Sequence, residues 1–88
     1  MDYEEAQTEL QRIEAELSDW HHHKQAREAD LQTLQASAAK RLAAGDSPSD
    51  LARESAMLAD EVAFITQVID GVKAKLGPAQ HAVQIAKV

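Results

Sequence analysis

Apolar residues recur along this chain at alternating steps of three and four. Starting at Tyr3, the step meets Ala6, Leu10, Ile13, Leu17 and Trp20, passes through Lys24 and Arg27, then meets Leu31, Leu34, Ala38 and Arg41. A second run starts at Leu51, passes through Ser55, and continues over Leu58, Val62, Ile65, Ile69, Val72, Leu76, Ala79, Val83 and Ala86. A period near 3.5 sustained over this length is the signature of long helices packed in coiled-coil fashion. The two stripes predict an all-α chain, a long antiparallel helical hairpin.

The segment between the stripes is Gly45-Asp46-Ser47-Pro48. Gly45 can adopt the left-handed conformation that ends a helix after Ala44. Ser47 suits the N-cap of a helix whose first residue is Pro48, and Asp50 then falls in its first turn, where a carboxylate favours the positive end of the helix dipole. A stop and a start within three residues match the connection between antiparallel neighbours. The predicted layout is one domain over 1–88: a helix over 3–44, a turn at 45–47 and a helix over 48–76. Gly77-Pro78 then sets a break, because proline lacks an amide donor and crowds the preceding turn. Since the stripe resumes in phase at Ala79, residues 78–88 are expected as a short third helix or a kinked continuation.

Counting outward from the turn pairs Leu42 with Leu51, Leu31 with Val62, Leu17 with Leu76 and Leu10 with Val83. Charge agrees with this register. Residues 1–19 carry seven acids (Asp2, Glu4, Glu5, Glu9, Glu14, Glu16, Asp19) against Arg12, whereas residues 71–88 carry Lys73, Lys75 and Lys87 and no acid. Residues 45–70 carry six acids against Arg53, facing a stretch that holds Lys24, Arg27, Lys40 and Arg41.

The register also sets Lys24 and Arg27 opposite Ile69 and Ile65. Long basic side chains can lay their methylenes over apolar surface, yet Val62 to Val72 is expected to remain incompletely covered from within. Met57, Phe64 and Val68 form a flanking ridge beside it. With Ile65, Ile69 and Val72, and with Trp20 as an anchor on the first helix, they make an apolar face wider than one partner helix buries. That face predicts a protein interface. A homodimer closing into a four-helix bundle is the first expectation, and a groove for another protein's amphipathic helix is the second.

Composition narrows the remaining classes. There is no cysteine, hence no disulfide or thiolate metal site. No apolar run reaches the roughly 18 residues of a membrane span, and Met1-Asp2-Tyr3-Glu4-Glu5 is acidic where a signal peptide is basic; a cytoplasmic protein, or one exported without a cleavable signal, is expected. A net charge of -6 without a basic stripe argues against direct nucleic-acid binding. His21-His22-His23 does not predict a metal site, because consecutive helical residues point about 100° apart and cannot converge on one ion. His81 stands far along the second helix. No nucleophile motif or phosphate-binding glycine loop is present, so neither enzymatic activity nor a cofactor is expected.

The turn Gly45 to Asp50, followed by Arg53-Glu54-Ser55 before an apolar run, resembles the small helical hairpins of type III secretion, both needle subunits and their cochaperones. The first helix is longer and more regular than in that group. The chain also resembles the WxG secreted hairpins in outline, but its turn lacks the Trp-x-Gly. These likenesses imply a secretion-apparatus subunit or cochaperone. The residues themselves predict a small homo-oligomeric adaptor, assembly factor or chaperone. The acidic stretches Asp2 to Asp19 and Asp46 to Asp70 raise a different class, an inhibitor that mimics nucleic acid in a basic groove, of the phage counter-defence type.

Overall fold

The computed structural model describes residues 2–87; Met1 and Val88 lie outside the described residues. The chain is an all-α helical hairpin, with α1 over Tyr3–Ala43 and α2 over Pro48–Lys87. The first helix starts on a cap that the periodicity did not single out. Asp2 Oδ1 accepts the Glu5 amide at 2.8 Å and the Asp2 carbonyl accepts the Ala6 amide. With Glu4 and Glu5 also in the first turn, negative charge gathers where the helix presents unpaired amides.

The turn follows from its residues. Gly45 has φ +106°, a region that costs a residue with a Cβ heavily. Its amide donates to the Leu42 carbonyl, and the Asp46 amide donates to the Arg41 carbonyl at 3.0 Å. These two bonds form the Schellman closure of a helix ending at glycine. The Ser47 carbonyl then accepts the Leu51 amide at 3.1 Å and opens α2, with Pro48 as its first residue and Asp50 in its first turn.

Of the two expectations for residues 78–88 the continuation holds: among the described residues no separate third helix follows, and the helix predicted to end at Leu76 does not stop at Gly77-Pro78. Helix α2 runs unbroken through Pro78 to Lys87. Two local features explain why the proline is tolerated. Its ring strikes the Cβ of the preceding residue in the helical conformation, and Gly77 has none. The carbonyl deprived of its donor belongs to Ala74, four residues back, and both Ala74 and Pro78 are exposed, so water can reach that side of the helix. Burial of Ala79 to 8% exposure keeps the following turn docked.

The chain divides into two compact units. The first comprises Met1–His22 with Gln67–Val88, the second His23–Thr66. In the first unit Ile13, Val72 and Ala79 form a buried cluster, against which Leu10, Leu17, Trp20, Val68 and Leu76 pack. Ala6 and Ile69 are buried there as well. In the second unit the buried residues are Leu34, Leu51 and Ile65, all on the predicted stripe.

Candidate protein-binding surface

The apolar face predicted for α2 separates into a buried part and an exposed part. Ile65, Ile69 and Val72 are only 7%, 3% and 4% exposed, so of the stretch Val62 to Val72, expected to be incompletely covered, these three are covered within the chain and leave the candidate surface, while Phe64 stays exposed and Val62 and Val68 half-buried. Arg27, predicted opposite Ile65, is half-buried and holds its guanidinium between Asp30 at 2.8 Å and Glu61 of α2 at 3.8 Å. A long stem can cover apolar neighbours while its head stays solvated. Val68 and Trp20 are half-buried against the first unit's core, and they too serve the fold before any partner.

Met57 and Phe64 remain, 59% and 64% exposed. They stand seven residues apart on α2, two helical turns or about 10 Å along its axis. Beside Met57 a shallow groove runs between the helices of the second unit. Leu34 and Leu58 supply apolar lining, and Asp30, Glu54 and Glu61 supply carboxylates. Leu42, expected against Leu51, is instead 42% exposed while Leu51 is 7%; the stripe passes through Arg41.

Arg41 is the polar centre of this unit, and periodicity alone did not mark it as such. Its Nε donates to Asp46 Oδ2 and its NH1 to Glu54 Oε2, both at 2.8 Å. One side chain thus ties the end of α1 to the turn and to α2. The two carboxylates hold the guanidinium's pKa above its ordinary value, the Glu54 hydrogen bond contributing most. A basic residue on the seam, five positions before Asp46 of the turn, was the available sequence signal. These bonds also engage Asp46 and Glu54, while Glu61 engages Arg27. With Asp50 beside Arg53 at 4.0 Å, four of the six acids from Asp46 to Asp70 are partnered within the chain.

His21, His22, His23 and His81 are exposed, and among the described residues no three His, Cys, Asp or Glu side chains are grouped to hold an ion. Among the described residues no helix is long and apolar enough to cross a membrane. No known family model matches the chain, and neither a curated protein nor a solved structure shows significant similarity to it.

Proposed function

We propose that the chain is a non-enzymatic protein-binding module, an adaptor, assembly factor or chaperone acting through the exposed apolar side chains of α2. The observation that carries this reading is the exposure of Phe64 at 64%. A large aromatic left in water forfeits burial worth roughly 1.5–3 kcal/mol, and aromatic residues are enriched where protein interfaces concentrate their energy. Met57, unbranched and adaptable, suits the same role.

Self-association is a second reading. It is favoured by Ile85, 62% exposed in the first unit, which gives the chain a separate apolar contact.

Phe64→Glu, Ile85→Glu and the neutral control Gln67→Glu test both readings. The binding-module reading expects partners bound by the native chain to be lost with Phe64→Glu alone, while helicity and melting temperature stay unchanged. Loss of native mass in solution with Ile85→Glu would instead identify self-association. Partners retained by all three variants would refute a binding role for Phe64.

A further inference from the structure

Resting on that reading, we infer that the Met57–Phe64 face receives a cationic amphipathic helix from another protein. Around α2, at about 100° per residue, Asp60 falls on one side of the Met57–Phe64 line and Glu54 and Glu61 on the other, Asp60 and Glu61 about 50° away and Glu54 about 70°. All three acids are exposed. On the α1 side of the groove Asp30 adds a fourth carboxylate beside Leu34, with Thr33 and Ser37 between the charges. The apolar line is bordered by negative charge along both edges.

The nearby cations do not cancel this border from the partner's side. Arg41 is held by Asp46 and Glu54, and Arg27 by Asp30 and Glu61. Arg53 leans back toward Asp50 at 4.0 Å. Asp60 makes no ion pair among the described residues. Arg41 and Arg27 are each matched by two carboxylates and Arg53 by one, and with Asp60 added the face stays net negative.

The same border excludes a second copy of the chain. Antiparallel pairing of Met57 with the other copy's Phe64 sets Asp60 and Glu61 against the same two residues of the partner. Parallel pairing sets like against like along the whole line. Juxtaposed like charges cost an interface several kcal/mol. A partner helix with leucine-type residues on one stripe and lysine or arginine flanking it meets apolar with apolar and acid with base.

The probe is a synthetic amphipathic peptide of leucine and lysine, roughly 18 residues or about five turns, with glutamine-for-lysine and glutamate-for-lysine counterparts. Isotope-labelled full-length protein is titrated and amide shifts are mapped. The lysine peptide is expected to shift amides at Leu34, Met57, Leu58 and Phe64, and to bind at least about tenfold more weakly to the Met57→Ser, Phe64→Ser variant, as for interface anchors in general. Asp60→Asn with Glu61→Gln is expected to reduce both affinity and its salt dependence. If the glutamine peptide binds this face as tightly as the lysine peptide, the module reading stands and the cationic partner is wrong. Binding that shifts mainly residues 2–19 and ignores Phe64 is general attraction to acid and overturns the proposal. A chain whose native dimer is split by Phe64→Ser has a second copy on this face, which also overturns it.

Discussion

The two units are built from the same pair of helices, yet different forces hold them. In the first unit Ala6, Ile13, Ile69, Val72 and Ala79 are all below 9% exposure, and five further apolar side chains pack around the central cluster. Of the seven ion pairs among the described residues, only Arg12–Glu9 lies there. The second unit buries three residues, Leu34, Leu51 and Ile65, each at 7%, but holds the other six ion pairs and the glycine turn. Exposed ion pairs contribute little individually, whereas apolar burial is the dominant favourable term in folding. The first unit therefore supplies most of the cohesion, and the second is the place where apolar surface remains for a partner.

The sharpest way to break this comparison is to truncate one buried residue in each unit. Ile13→Ala, at the centre of the first unit's cluster, is expected to cost about 3–5 kcal/mol in urea unfolding, and Leu34→Ala, beside an open groove that can relax, nearer 2–3 kcal/mol. An equal or larger loss at Leu34 would mean that the second unit carries the core. Backbone strain ranks next. Gly45→Ala must place a Cβ at φ +106° and is expected to destabilise by about 1–2 kcal/mol, measured by thermal melting.

Helix propensity gives a smaller effect with the opposite sign. A Cβ built on Gly71 meets nothing within 4 Å, so Gly71→Ala is expected to stabilise by roughly 0.8–1 kcal/mol. The space around Gly77 is equally open, but Pro78 follows it, and the new Cβ would meet the proline ring. Gly77→Ala is therefore expected to gain less or to lose, and identical gains at both sites would remove the account of why Pro78 is tolerated.

The smallest effect is electrostatic. The Arg12 hydrogen bond holds the Glu9 carboxyl below its ordinary pKa. Its stabilising contribution is present above the unfolded value and is lost as pH falls through the lowered folded value. Protection of the amides around residues 9–12, taken as exchange relative to the intrinsic rate at each pH, should accordingly fall only in acid, and an Arg12→Gln variant should lose that dependence.

Much of this architecture is legible along the chain because it depends on local rules. The stripe spacing marks the helices, and Gly45-Asp46-Ser47-Pro48 marks where one stops and the next starts, since a left-handed glycine and a first-turn proline are constraints that each residue carries with it. Asp2 was legible too, through its spacing from Glu5. What the stripe could not state was which of its members would be covered. Ile65, Ile69 and Val72 resemble Met57 and Phe64 in composition and neighbourhood, and only packing buries the first three. Arg41 and Arg27 read as interruptions of an apolar pattern, and only folding brings Glu54 and Glu61 within reach of their guanidinium groups. Pro78 reads as a helix end by its own chemistry, yet the helix continues. The sequence by itself determined the helices, the turn and the seam, because dihedral preference and periodicity act over a few residues. Tertiary structure alone decided burial, the arginine clamps and the exposed Met57–Phe64 face, because each depends on side chains distant in sequence that meet only when the hairpin closes.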